Sequence, residues 1–230
     1  MLSAVQSPRS KIHIHAYMPV TWSDAGLTGV INDDVCSMRV RSLDLSHNNI
    51  LGTLPACVVD GTVQSGPSVR VSNNRMSGTL PRLGHHVRAV KIGDGNSFEG
   101  NLAVAAMDAG EGGLHTIDAS GNRLSGNIED LLSIAPSLHT LDISGNEMTT
   151  GSDNGDATPS SSTSSSVGQH GRRAAAAIAN HPSLRQYSIG GNRFGPLVGV
   201  NEVSSRVLQP HRRSRHNFFC FFLSPPDKYG

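Results

Sequence analysis

Apolar and polar positions recur in one frame along most of the chain. The stretch VRSLDLSHNNILGTLP begins at Val40 and alternates apolar with polar residues, then has an Asn, another apolar residue and a Gly. The frame returns five more times, with one extra residue in the third copy and the Gly out of register in the last two; its Asn stands at Asn48, Asn74, Asn96, Asn122, Asn146 and Asn192. The first five are 22 to 26 residues apart and the last interval is 46, close to two periods. Repetition at this period predicts a solenoid of stacked units.

The alternating part of each copy predicts a short strand with one buried face. Leu43 and Leu45 are expected to point inward while Asp44 and Ser46 point outward. One such strand cannot bury its apolar face alone, so the copies are expected to stack as a parallel sheet, with the rest of each repeat as the return crossover. Compositions that favour helices predict short convex helices over 102–110, 129–135 and 172–179.

The repeated Asn predicts a ladder of side-chain hydrogen bonds. An amide side chain both donates and accepts, so stacked Asn residues can satisfy backbone groups that the turn leaves unpaired. A preference of Asn for turns is the simpler interpretation, but recurrence at one position of the frame favours the ladder. The apolar residue two places later is expected to re-enter the core, as at Ile50, Met76, Phe98, Leu124, Met148 and Phe194.

The unit N-x-ϕ-x-G-x-ϕ-P resembles the plant-type class of leucine-rich repeats, which occurs in receptor-like kinases, receptor-like proteins and inhibitor proteins of plants. Similar repeats occur in surface antigens of kinetoplastid protists. The resemblance covers about residues 38–150 well and 172–196 in part. It implies a right-handed α/β leucine-rich-repeat solenoid with a parallel concave sheet, short convex helices and about six repeats. It also implies recognition of a protein, peptide or saccharide on the concave face.

Trp22, Gly29 and Cys36 resemble a worn form of the N-terminal cap of that class. The cap usually carries paired cysteines near the Trp, and no cysteine precedes Cys36 here. The sequence leaves open whether Cys36 and Cys57 form a disulfide. The three cysteines, Cys36, Cys57 and Cys220, are odd in number and few, so we expect free thiols in a reducing compartment.

The composition shifts along the chain predict five parts. They are an N-terminal segment with a degenerate cap at 1–37, repeats one to five at 38–150, a disordered Ser/Thr/Gly-rich insertion at 151–171, a helix with a degenerate sixth repeat at 172–200, and an irregular tail at 201–230. The basic and aromatic residues of the tail are typical of a membrane-touching segment or a nuclear address, or of an irregular cap or an artefactual chain end.

The totals exclude some function classes. Lys and Arg number 19 against 18 Asp and Glu, so the general charge expected of a nucleic-acid-binding protein is absent. No apolar run is long enough to span a membrane, and residues 1–15 do not form a secretory signal. A cytoplasmic location follows if the start is the true one, and a cell-surface or extracellular one if the chain is a fragment of a receptor-like protein.

The outward strand positions form the candidate partner-binding surface. Its candidates are Asp44, Ser46, His47, Arg70, Ser72, Lys91, Asp118, Ser120, Asp142 and Ser144. The acidic candidates Asp44, Asp118 and Asp142 share one predicted column, with Arg70 and Lys91 between them. This column is either a charged recognition stripe or the Asp that strands of this kind commonly carry. The face has no aromatic anchors, although binding hot spots favour Trp, Tyr and Arg.

The sequence gives no catalytic or metal site that we would single out. Asp118 and Asp142 lie on neighbouring repeats, but nothing around them supports acid–base catalysis. His13 with His15, and His85 with His86, have spacings that occur in zinc sites. No Cys or acidic ligands accompany them, so solvated side chains are the simpler interpretation. We therefore expect no enzyme activity and no cofactor, and a non-catalytic interaction module for a protein, a peptide or a saccharide. The alternatives are an intracellular structural scaffold and a truncated fragment of a larger receptor-like protein.

Overall fold

Short parallel strands form the main sheet of the molecule. The computed structural model describes residues 18–37, 40–59, 68–111, 113–151 and 164–194. Seven strands lie side by side in chain order, each with its inward residues in the core and its outward residues on the concave face. They are β1 (Met18–Thr21), β3 (Val40–Asp44), β5 (Ser68–Arg70), β7 (Ala89–Lys91), β9 (Thr116–Asp118), β11 (Thr140–Asp142) and β12 (Gln186–Ser188).

The first strand comes from the segment that was expected to be a degenerate cap. β1 pairs in parallel with β3, and the amide of Trp22 donates to the carbonyl of Asp44 at 2.8 Å. The amide of Leu45 makes the same bond to Arg70 one strand later. Trp22 therefore follows β1 at the place that Leu45 holds after β3, and 45% of it is exposed.

A second parallel sheet follows the turn in the N-terminal segment and in the first four repeats, and the sequence pattern did not predict it. Its strands are β2 (Thr28–Val30), β4 (Asn49–Gly52), β6 (Arg75–Thr79), β8 (Ser97–Asn101) and β10 (Arg123–Ser125). In most of these strands the Gly of the frame is either the last residue or an interior one. The neighbouring repeat approaches the backbone closely there, so a side chain at that position would collide with it. At Gly78 the φ angle is 85°, and a Cβ there would lie 2.8 Å from Cγ2 of Thr53.

Three helices lie on the convex side. They are α1 (Leu102–Glu111), α2 (Ile128–Ile134) and α3 (Ser164–Asn180). α1 packs on α2 and α2 on α3. Asn127 caps α2, since its side chain accepts a hydrogen bond from the amide of Glu129 at 2.8 Å. The helix expectations over 102–110 and 129–135 are thus confirmed to within one residue at each end.

The helix expected over 172–179 is longer than predicted. α3 begins at Ser164, so the last eight residues of the segment expected to be a disordered insertion at 151–171 are helical. Our prediction was wrong for that part because Ser-rich composition has weak helix propensity, whereas packing of α3 against α2 favours the helix. Residues 152–163, the tail at 201–230, and His13 and His15 lie outside the described residues.

The Asn ladder joins the repeats as predicted. Asn74 Nδ2 donates to the carbonyls of Leu45 at 2.9 Å and Val71 at 3.0 Å, and its Oδ1 accepts from the amide of Ile50 at 3.1 Å. Each later Asn of the frame makes the same three contacts: Asn96, Asn122, Asn146 and Asn192. One side chain thus ties its own turn to the preceding repeat.

Two cysteines form a disulfide, contrary to the expectation of free thiols. Cys36 lies in a 3-10 turn at Asp33–Ser37 and Cys57 in another at Ala56–Val58. The two turns contact each other, and the Cα atoms of the cysteines are 5.6 Å apart. Counting cysteines missed this pair because only the stacking of the first crossover on the second brings the two residues together. Cys220 lies outside the described residues.

Candidate binding surface

One column of charged side chains crosses the concave sheet. The strand register places Asp44 beside Arg70, Arg70 beside Lys91, Lys91 beside Asp118 and Asp118 beside Asp142. Neighbouring strands lie about 4.8 Å apart, so these side chains form one continuous row. The predicted column is confirmed, and its order of charges is one acid, two bases and two acids.

The two basic residues of the column differ in their ion pairing. Arg70 Nη1 lies 3.7 Å from Asp44 Oδ2, and the two side chains are 49% and 21% exposed. No described carboxylate lies within the 4.0 Å of an ion pair from Lys91. The centre of the row therefore carries a positive charge that the described part of the chain leaves unpaired.

The acidic residues are held by the serine two places later. Asp142 Oδ1 accepts from the amide of Ser144 at 3.0 Å and from its hydroxyl at 2.6 Å. Asp118 Oδ1 accepts from the hydroxyl of Ser120 at 3.1 Å, and Asp44 Oδ1 from the amide of Ser46 at 3.0 Å. These bonds restrict each carboxylate to one orientation, and the second oxygen of Asp44 faces Arg70.

A shallow groove of about 320 Å³ follows this row on the N-terminal half of the concave face. Seven of the ten candidate residues line it: Asp44, Ser46, His47, Arg70, Ser72, Lys91 and Asp118. Ser46 is only 9% exposed and contributes little surface. The remaining candidates, Ser120, Asp142 and Ser144, continue the same face beyond the groove.

Three further residues line the groove that were not among the candidates: Ser23, Asn73 and Asp94. Ser23 follows β1, a strand that the repeat frame did not predict. Asp94 lies in the turn of the third copy, where one extra residue is accommodated by two successive left-handed residues, Asp94 at φ 49° and Gly95 at φ 71°. That extra residue was the one signal in the sequence for Asp94.

Three residues at the groove, Asp94 among them, have backbone angles that L-amino acids rarely adopt. His47 has φ 57° and Asn73 has φ 55°, immediately before the ladder residues Asn48 and Asn74. The same place is a glycine, with φ between 64° and 69°, at Gly121, Gly145 and Gly191. Glycine adopts this conformation without steric cost, whereas His and Asn do not. The first two repeats thus carry side chains at the groove that cost conformational energy.

Among the residues that the structure describes, no three His, Cys, Asp or Glu side chains lie together in a way that would hold a metal ion. His85 and His86 contact each other, with ring centroids 3.9 Å apart. No helix of the described ranges is long and apolar enough to cross a membrane.

The family model of the leucine-rich repeat matches residues 39–59, the first copy of the frame. With the parallel strands in register and the Asn ladder, this match decides the architecture. The chain is a leucine-rich-repeat solenoid. No curated protein matches its sequence.

Solved structures with the same fold include plant receptor kinases. The Arabidopsis receptor kinase HAESA, solved in complex with the peptide hormone IDA and the co-receptor SERK1, is 21% identical with a TM-score of 0.52. The match covers 72% of this leucine-rich-repeat chain and 24% of HAESA, so the chain spans about a quarter of that protein. Pollen Receptor Kinase 3 is 22% identical with a TM-score of 0.52, and 76% of this chain covers 73% of it. At these identities the likeness shows the fold alone.

Proposed function

We propose that this solenoid is a non-catalytic recognition module that binds an extended segment of a protein or peptide in the concave groove. The observation that carries the proposal is the row of charges in register, with Arg70 and Lys91 between Asp44 and Asp118. The HAESA structure contains a peptide hormone, which makes a peptide a natural ligand to test.

Charge indicates what the segment carries. Lys91 has no ion-pair partner among the described residues, and Arg70 shares its charge with one partly exposed carboxylate. An acidic side chain of the ligand, placed over these two bases, gains two charge-assisted hydrogen bonds. Asp118 and Asp142 follow on the next two strands and are suited to a basic side chain further along. The ligand we expect therefore has an acidic residue over the two bases and a basic residue over the two acids.

Shape indicates the length of the segment. The groove extends from Ser23 to Asp118 across five neighbouring strands, which is about 19 Å at the spacing of strands in a sheet. An extended peptide of about six residues covers that length at 3.3 Å per residue. His47 and Asn73 stand in strained backbone positions at this groove, and strain of this kind is concentrated at binding sites.

The disulfide favours a recognition module over an intracellular scaffold. Cys36 and Cys57 pair in the structure, and structural disulfides form and persist in oxidising compartments. We therefore propose that the protein acts in the secretory pathway or outside the cell. The proposal does not depend on whether the chain is a whole protein or a part of a longer one.

An array of ten-residue peptides that systematically place one Glu and one Lys tests this function. The full chain, labelled at its amino terminus, is expected to bind peptides that contain both the acidic and the basic residue. It is expected to lose at least about tenfold in affinity when Arg70 and Lys91 are both changed to Glu. The same double variant is expected to gain affinity for peptides in which Lys replaces the Glu.

Arg75→Glu with Arg123→Glu is the matched control. Both residues are exposed on the second sheet, away from the groove, and the net charge changes by the same amount. Binding that falls equally in both double variants is a general charge effect and overturns the proposal. So does an absence of binding to every peptide of the array.

A further inference from the structure

A second column of basic and ionisable side chains lies at the opposite end of the same strands. The register that pairs Ala89 with Thr116, Thr116 with Thr140 and Thr140 with Gln186 also aligns the residue before each of them. Backbone hydrogen bonds join these residues in sequence along the row. They are Arg88, His115, His139 and Arg185, which we call the Arg–His column.

The two central imidazoles stack on each other. The ring centroids of His115 and His139 are 5.2 Å apart and the ring planes are inclined by 18°. Nδ1 of His139 lies 2.6 Å from the carbonyl oxygen of Ser137. A carbonyl only accepts, so Nδ1 carries the proton and Nε2 is the atom of His139 that takes up another proton.

The arginine at one end is also oriented. Nη1 of Arg88 donates to the carbonyl of Gly113 at 3.1 Å, which draws its guanidinium over the next repeat toward His115. Gly113 has φ 89°, and a Cβ there would collide with Nη1 of Arg88. The absence of a side chain at 113 thus leaves the space that this guanidinium occupies.

No described acid neutralises the column. The ion pairs among the described residues join Arg70 to Asp44, Arg82 to Asp108 and Arg193 to Glu147. Arg88, His115 and Arg185 are exposed, and His139 is half-buried. A row of two permanent and two conditional positive charges, about 4.8 Å apart, is therefore open to solvent.

The strands of the column, the residues just before them and the helices α1 and α2 carry the other charged groups near it. Lys91, Asp118 and Asp142 stand three residues further along the strands, roughly 10 Å away and beyond a Debye length of about 8 Å at physiological salt. His86 is two residues before Arg88, and Glu111 ends α1, four residues before His115; the Glu111 side chain is not among those described. Glu129 and Asp130 are in the first turn of α2.

Before Arg185, His181 is held by its own hydrogen bonds. Nε2 lies 3.0 Å from the carbonyl of Ala135, and Nδ1 accepts from the amides of Ser183 and Leu184. Since a carbonyl must accept, Nε2 carries the proton and both ring nitrogens are occupied. His181 is therefore not counted with the column.

We propose that the Arg–His column binds a linear sulfated polysaccharide, and that the binding strengthens as the pH falls. Sulfate groups stay charged throughout the physiological range, whereas histidine side chains change charge between pH 5 and 8. At pH 8 only the two arginines act, three strand spacings apart. The imidazoles of His115 and His139 lie between the two arginines, and with both imidazoles protonated the row of positive charge is continuous.

The spacing favours a polysaccharide over an acidic peptide. The column presents four basic or ionisable side chains in succession and calls for an anion about every 4.8 Å, whereas the side chains on one face of an extended peptide come only about every 6.7 Å. The groove differs because its two bases are followed by two acids, so one acidic and one basic side chain of a peptide are enough there. In a polysaccharide with sulfates on successive sugar rings, the linkages between the rings are flexible. Successive sulfates can therefore face the same side, whereas successive side chains of an extended peptide alternate between two faces. This site is separate from the concave groove and does not rest on the peptide proposal.

Fluorescence anisotropy of fluorescein-labelled dextran sulfate with the full chain tests the proposal. At low salt the dissociation constant is expected to be about tenfold smaller at pH 5.5 than at pH 8.0. His115→Gln with His139→Gln is expected to remove this pH dependence and to leave the affinity at pH 8.0 unchanged. Arg88→Gln with Arg185→Gln is expected to weaken binding at both pH values.

Two matched controls separate the column from the rest of the surface. His85→Gln with His86→Gln removes two exposed histidines outside the column, and Arg70→Gln with Lys91→Gln removes the bases of the groove; both are expected to keep the pH ratio of the unmodified protein. Far-UV circular dichroism checks that every variant is folded. An unmodified protein without pH dependence overturns the proposal, as does a control that lowers the ratio as much as the column variants. Polyglutamate that binds as tightly as dextran sulfate overturns the choice of a polysaccharide.

Discussion

The carboxylate of Asp118 lies over the backbone of Gly93. A Cβ on Gly93 would stand 2.5 Å from Oδ1 of Asp118 and would also collide with the hydroxyl of Ser120. Asp118 and Ser120 hydrogen-bond to each other in that space. Gly93 therefore decides where the central acid of the charged row stands, although it carries no functional group itself.

Replacement of Gly93 by Ala is expected to displace the Asp118 and Ser120 side chains. The free energy of unfolding should fall by about 1–3 kcal/mol, because the added methyl overpacks a filled position. Urea unfolding measures the change. Gly190→Ala is the matched control, since Gly190 holds the same place after β12 that Gly93 holds after β7, and a Cβ there meets nothing within 4 Å. Equal losses in the two variants would contradict this account of Gly93.

Asn122 should contribute more to stability than Asn48. Asn122 is 6% exposed and satisfies the buried carbonyls of Ile92 and Ala119 and the amide of Phe98. Asn122→Ala removes the side-chain acceptor of the buried Phe98 amide and one of the two Asn donors to each carbonyl, with Asn96 still donating to Ile92 and Asn146 to Ala119. We expect a loss of about 2 kcal/mol in the free energy of unfolding.

Asn48→Ala is the comparison for that loss. Asn48 makes the corresponding bonds at the N-terminal end, to the more exposed groups of Trp22, Ala25 and Leu27. Water replaces a partner there, so the expected loss is about half as large. Equal losses for Asn48→Ala and Asn122→Ala in chemical denaturation would refute the argument from burial.

The Cys36–Cys57 bridge should be detected by alkylation of the unfolded protein. Without reductant, iodoacetamide is expected to modify one of the three cysteines, and after reduction all three. The Cys36→Ser and Cys57→Ser double variant should lose about 3 kcal/mol of stability, because the bridge closes a loop of 21 residues in sequence separation. Cys220→Ser should leave no cysteine open to alkylation before reduction. Three modified cysteines before reduction would show that the bridge is absent.

The ion pair between Arg70 and Asp44 should matter little for folding. Both side chains are partly exposed and the distance is 3.7 Å, so Arg70→Gln is expected to change the free energy of unfolding by less than about 1 kcal/mol. Thermal unfolding at two salt concentrations measures this. A larger loss would mean that binding assays with Arg70 variants report instability of the protein rather than loss of the ligand contact.

The sequence by itself determined the repeat, the inward residues and the ladder. A period of 22 to 26 residues with one fixed Asn leaves few ways to bury Leu43, Leu45 and Ile50, and stacking of identical units is the simplest. The row from Asp44 to Asp142 followed from the same frame because equivalent residues of parallel strands must lie side by side. These features depend on local spacing, which a sequence states directly.

Only the tertiary structure decided the features that depend on contacts between different parts of the frame. β1, the second sheet and the start of α3 have no periodic signal of their own and form because a neighbouring element offers backbone or apolar partners. The pairing of Cys36 with Cys57 and the stacking of His115 on His139 arise in the same way. A sequence pattern shows which residues are equivalent between repeats. The segments between equivalent residues differ in length, so only the folded structure shows which of their side chains contact each other.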